Sequence, residues 1–192
     1  MGLTPGLLTA TGLGAGVAGC IAVACSNWGL ALGLWLLNRT LDGLDGALAR
    51  RGRSTELGGL LDFTADFVVY SGFVVGVAIA EPPSRLACVV LLATYLVNNV
   101  ALLSFSSVIE RLGLQFGDER SLHLTTGLAE GTETIIVYIL FCLIPSASAT
   151  IAWSFAGLVG LTAVQRVTHA WWILGSATPR DQARSASRHS DA

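Results

Sequence analysis

Four aspartates carry the first chemical signal in this chain of 192 residues. Asp42 and Asp45 are three positions apart, and Asp62 and Asp66 are four apart. On helices each pair therefore shares one face. Four facing carboxylates repel one another and shift toward protonation, a conflict that one or two divalent cations would remove. An all-oxygen donor set without histidine or thiolate calls for Mg²⁺ or Mn²⁺ rather than zinc or copper. Glycines are interleaved with the acids, Gly43 and Gly46 in one stretch and Gly58 and Gly59 in the other. They suit either close helix packing or a bulky ligand lying on the helix.

The elements that must position these acids are membrane helices. Apolar runs of spanning length cover residues 7–24, 27–48, 58–80, 86–108, 126–144 and 149–174, which predicts six spans. Prolines and glycines fall in the short polar breaks, as in Glu81-Pro82-Pro83-Ser84 and Pro145-Ser146. The fold class expected is an all-α integral membrane bundle of six transmembrane helices. Residues 1–175 form its single domain and 176–192 a polar cytoplasmic tail. The first apolar run lacks a basic leader and reads as a retained span.

With Ala49 at the interface, Asp42 lies seven residues deeper, about 10 Å at 1.5 Å per residue. Asp66 reaches a similar depth on the next, antiparallel helix. A charge at the bilayer centre costs about 2.5–3.5 kcal/mol on insertion scales, so acids at such depth call for a function or a partner.

All 11 basic residues are arginine. With the amino terminus inside, Arg50, Arg51, Arg53, Arg111, Arg120, Arg180, Arg184 and Arg188 collect on the cytoplasmic side and only Arg85 outside. That bias predicts both termini in the cytoplasm of a prokaryotic inner or plasma membrane, with the acids opening to the cytoplasmic leaflet. A charged fraction of 12% and a mean hydropathy of +0.65 exclude an ordinary soluble domain. A net charge of -2 speaks against nucleic acid as a partner. Cys20, Cys25, Cys88 and Cys142 lie in apolar runs without metal-ligand spacing and read as packing residues.

The stretch Asp42-Gly43-Leu44-Asp45-Gly46-Ala47-Leu48-Ala49-Arg50, followed by Gly58, Asp62 and Asp66, resembles the signature of the CDP-alcohol phosphatidyltransferase family. The gap between Arg50 and Gly58 is one residue shorter than the family's usual spacing. A second echo, Thr4-Pro5-Gly6-Leu7-Leu8-Thr9, resembles the family's Thr-Pro-Asn-x-x-Thr opening, with Gly6 in place of asparagine. The resemblance implies a metal-dependent phosphotransferase for substituted phosphate groups. It would move a phosphatidyl group from a CDP-activated lipid, CDP-diacylglycerol, to the hydroxyl of an acceptor alcohol and release CMP. Asp42, Asp45 and Asp62 would bind metal, and Asp66 would contact a second ion and act as general base. Gly46, Ala49, Arg50 and Gly58 would line the cytidine diphosphate site. The family also implies a homodimer in the lipid bilayer.

The chemistry agrees with the residues on their own account. Breaking a pyrophosphate requires its charge to be neutralised and a base near the attacking hydroxyl. Family members that take phosphorylated acceptors offer arginines on the fifth helix, where this chain has Gly131 and Thr134; a neutral or amine-bearing acceptor is expected. Glu130 and Glu133 either shape the acceptor pocket or hold Arg39 or Arg166 in buried pairs. Asn98 and Asn99 either bond a neighbouring helix or touch the acceptor. Arg166, Thr168 and His169 approach from the sixth span, while Trp171 and Trp172 fit an interfacial aromatic belt.

Three alternatives compete. A CDP-linked small alcohol with diacylglycerol as acceptor would use the same residues. An intramembrane prenyltransferase also sets aspartates around Mg²⁺, but it does not require Gly46, Ala49, Arg50 and Gly58. A cation or proton transporter would spread polar groups across the full membrane depth, whereas these acids cluster on one side.

Overall fold

The computed structural model describes residues 5–48, 56–112 and 131–176. The chain is all-α, with no strand among the described residues. Among the described residues six helices follow one another: α1 (Pro5–Ala24), α2 (Trp28–Leu48), α3 (Glu56–Ala80), α4 (Arg85–Leu112), α5 (Gly131–Leu143) and α6 (Ser148–Ser176). Three of them hold stretches long and apolar enough to cross a bilayer, Leu57–Ala80, Pro82–Arg111 and Pro145–Trp172. Thr9–Ala24 and Thr132–Leu143 are apolar but shorter, and α2 carries the polar motif. Leu96, Val97, Val100 and Leu103 on α4 are exposed, which suits lipid rather than water. The chain is an integral membrane protein.

Helix ends follow local chemistry. α1 closes with a left-handed residue, Ser26 at φ 58°. The Asn27 N–H donates to Ala22 O at 2.8 Å and the Ser26 N–H to Val23 O at 2.7 Å, satisfying the last carbonyls of the helix. Asn27 then caps α2, its Oδ1 accepting from the Leu30 N–H at 3.3 Å. Single 3₁₀ turns, Pro82–Ser84 and Pro145–Ala147, join α3 to α4 and α5 to α6. Both begin with proline, whose fixed φ suits the first helical position. Arg85 Nε reaches back to the Ala78 carbonyl at 3.1 Å.

The chain divides into two compact units, Met1–Leu92 with Thr134–Trp153, and Ala93–Glu133 with Ser154–Ala192. In the first, α1 packs on α2 and α3. Glycines set the spacing: a Cβ on Gly76 would lie 2.8 Å from Cys20 O and 3.1 Å from Val23 Cβ, and one on Gly16 would collide with Val69. An aromatic core fills the interior of this unit. Trp35 stacks on Tyr138 at 4.7 Å and meets Phe73 at 5.4 Å, and Phe73 lies 4.8 Å from Tyr138. In the second unit Tyr95 meets Phe155 edge-on and Gly160 lies against Thr94.

Candidate active site

Asp42 sits near the end of α2, and Asp62 and Asp66 lie in the first half of α3. Together with Thr9, Gly12, Leu13, Asn38, Leu41 and Ala65 they line one open cleft of about 270 Å³ in the first unit. The helical spacing and the antiparallel pair therefore bring acids of both stretches to the same place. The Asp42 and Asp66 side chains are 31% and 29% exposed, within reach of a polar ligand. Thr9, the last residue of the Thr-Pro-Gly echo, also faces this cleft.

Arg39 binds the two helices together. Its Nη2 donates to Asp66 Oδ1 at 2.7 Å, and its Nη1 to Asp42 Oδ2 at 3.4 Å and to Tyr70 Oη at 2.7 Å. Nε and Nη2 both donate to Asn38 Oδ1, at 2.9 and 2.7 Å. Asn38, 4% exposed, donates in turn from Nδ2 to the Gly12 carbonyl of α1 at 2.8 Å. Tyr138 donates to the Tyr70 carbonyl at 2.9 Å. The guanidinium also lies 5.0 Å above Trp35 and 4.9 Å above Tyr70, where the ring faces favour a cation.

The acids paired with Arg39 are Asp42, three residues along the same helix, and Asp66, which faces it from the next. Glu130 lies outside the described residues. The network through Asn38, Tyr70 and Tyr138 escaped sequence reasoning, although the Trp35–Arg39 spacing of one helical turn was a signal for it.

Of the other expected site residues, Gly58 opens the first turn of α3, and the backbones of Asp45 and Gly46 continue α2, their side chains lying outside what the structure describes. Ala49 and Arg50 fall outside the described residues. Among the described residues a Cβ on Gly43 or Gly59 would meet nothing within 4 Å, so packing between the described helices does not require glycine there. Asn98 is buried and its Oδ1 has no hydrogen-bond partner among the described residues. Trp171 and Trp172 are exposed, as an interfacial belt requires.

Oxygen donors on one cleft wall are the chemistry a hard divalent cation selects. Among the described residues no three acids, histidines or cysteines stand close enough to hold an ion by themselves; Asp45 is the further carboxylate that the motif supplies. Asp42 and Asp66 already converge on one cation, the Arg39 guanidinium. In donor chemistry alone, carboxylate oxygens suit a hard divalent ion.

Residues 3–164 match the family model for CDP-alcohol phosphatidyltransferase. The chain belongs to this family. As a CDP-alcohol phosphatidyltransferase it is an enzyme of the class that transfers substituted phosphate groups. It is 37% identical over 178 residues to the inner membrane protein YnjF of Escherichia coli (strain K12), covering 91% of this chain and 86% of that protein. Its fold resembles phosphatidylinositol phosphate synthase of Mycobacterium tuberculosis with CDP-DAG bound (25% identity, TM-score 0.71, 88% of this chain and 87% of that one). It also resembles the same synthase in complex with manganese and citrate (25% identity, TM-score 0.72, 88% and 83%).

Proposed function

We propose that this CDP-alcohol phosphatidyltransferase moves the phosphatidyl group of CDP-diacylglycerol to the hydroxyl of a neutral or amine-bearing alcohol. The carrying observation is that Asp42, Asp62 and Asp66, from two neighbouring helices, line one cleft. A synthase of the same fold that holds CDP-DAG supports this donor, and manganese in that synthase supports a metal. The acceptor class rests on Gly131 and Thr134, where no cationic side chain is available to grip a phosphate.

Asp42, Asp45, Asp62 and Asp66 would hold Mg²⁺ or Mn²⁺, two ions in all, which when bound neutralise the pyrophosphate charge. Four carboxylates outnumber the Arg39 and Arg50 guanidinium groups assigned to the site, an excess of negative charge that an anionic donor does not approach unaided. Gly46, Ala49, Arg50 and Gly58 receive the cytidine diphosphate; the open surface beside Gly43 and Gly59 leaves room for it. Asp66 takes the proton of the acceptor hydroxyl. The oxygen so freed bonds to the phosphatidyl phosphorus, the bond from phosphorus to the CMP oxygen breaks, and CMP leaves. The arginine bias sets both termini and the cleft toward the cytoplasm, residues 176–192 forming a tail there, and the enzyme works as a homodimer, as its family does.

The test is purified protein with radiolabelled CDP-diacylglycerol, Mn²⁺ or Mg²⁺, and a panel of alcohols. CMP release should require metal and a neutral or amine-bearing acceptor. Strong turnover with glycerol 3-phosphate or inositol phosphate would remove the acceptor assignment. Asp66→Asn should abolish CMP release while donor binding persists; normal turnover in that variant would refute the base.

A further inference from the structure

The Arg39 guanidinium has five N–H groups, and the structure gives it five hydrogen bonds. Two go to Asn38, and one each to Asp66, Asp42 and Tyr70. Its side chain is 8% exposed and is backed by the Trp35 and Tyr70 rings. Such a group is always charged and cannot turn without breaking several bonds. It lies three residues before the first aspartate of the motif and is not part of it.

We infer that Arg39 is a positioning residue of the transfer site, a fixed internal cation that orients Asp66 through Oδ1 and tempers the charge of the acid cluster. The inference rests on the proposed transfer site. With Oδ1 engaged by Nη2, Oδ2 is the oxygen left to receive the acceptor proton. The same guanidinium reaches Asp42, so acids of α2 and α3 are kept in register by one rigid fork. A lysine carries the charge but only three donors on a flexible stem, and it cannot hold Asp66, Asp42, Tyr70 and Asn38 together. The positive charge also opposes any divalent ion at the same carboxylates. Removing it should strengthen ion binding while turnover falls, a pair of effects in opposite directions.

The test uses the full chain purified in detergent, with Arg39→Met and Arg39→Lys. Mn²⁺ binding is read from the electron paramagnetic resonance signal of free Mn²⁺, alongside kcat and KM for CDP-diacylglycerol. Arg39→Met should bind Mn²⁺ roughly threefold to tenfold more tightly and lose at least about tenfold in kcat with KM little changed. Arg39→Lys should keep wild-type Mn²⁺ affinity yet remain slow. If Arg39→Met does not fold, Tyr70→Phe, which removes one of the five hydrogen bonds, should lower kcat with Mn²⁺ affinity unchanged; wild-type kcat there would overturn the inference. Wild-type kcat in Arg39→Lys, or weaker Mn²⁺ binding in folded Arg39→Met, would also overturn it. Wild-type protein that neither binds Mn²⁺ nor releases CMP would overturn the underlying site, and this role with it.

Discussion

Asn38 is the most consequential buried polar side chain outside the acids themselves. It joins α1 to α2 through Gly12 and supports Arg39 through two bonds to one oxygen. Asn38→Leu keeps the volume and removes both functions. The two roles differ in weight. Interhelical hydrogen bonds between neutral groups in membranes average about 0.6 kcal/mol. Bonds to a charged group contribute about 1.5–3 kcal/mol each, and here the guanidinium would be left buried with two N–H groups unmet. The Arg39 side of Asn38 should therefore dominate, and Asn38→Leu should cost roughly 3–5 kcal/mol.

Thermal unfolding in detergent measures this directly. At about 2–4 °C per kcal/mol for a chain of this size, the midpoint should fall by roughly 6–20 °C. CMP release should fall further than stability accounts for, because Asp66 loses its fixed neighbour. Asn38→Asp separates the two roles: it keeps the oxygen acceptors for Arg39 and loses the donor to Gly12. It should cost well under half as much as Asn38→Leu. Equal losses in the two variants would show that the α1–α2 tie carries the stability and would refute the weighting given to Arg39.

Three smaller perturbations test the frame around the site. Tyr138→Phe deletes the bond to the Tyr70 carbonyl, leaves the stack on Trp35 intact, and should lower the unfolding midpoint by the equivalent of about 1 kcal/mol. Gly76→Ala drives a methyl against the Cys20 carbonyl and Val23 and should cost about 1–3 kcal/mol, whereas Gly43→Ala meets open space and should be neutral or stabilising by up to about 1 kcal/mol; paired thermal melts would expose any reversal of that order. Ser26→Gly removes the side chain from a left-handed position and should raise the midpoint by the equivalent of about 1 kcal/mol, and an unchanged melt would show that the Ser26 conformation stores no strain.

The helices were legible because lipid imposes a length and a polarity on each, and both are visible as runs of apolar letters. The clearest disagreement lies at the end of α4, which continues to Leu112 where the apolar count stops at residue 108. Glu110 and Arg111 end the apolar run but not the hydrogen-bonding pattern of the helix. The acids were legible for a similar reason: three- and four-residue spacings place side chains on one face without knowledge of any neighbour. Glycine spacing was less informative. Gly16 and Gly76 fill helix contacts while Gly43 and Gly59 face open space, and nothing local in the sequence separates those two uses.

What sequence could not supply was the set of partners for Arg39. A lone arginine in an apolar run announces that a counter-charge exists without naming it. The choice is made by packing. α1 brings the Gly12 carbonyl to Asn38, Asn38 turns its oxygen to the guanidinium, and Tyr138 from α5 ties off the carbonyl of Tyr70, whose hydroxyl receives Nη1. Each of these contacts except Asn38–Arg39 spans 26 or more residues of chain. The motif therefore records which acids meet, while the helices around it determine how rigidly Asp66 is held.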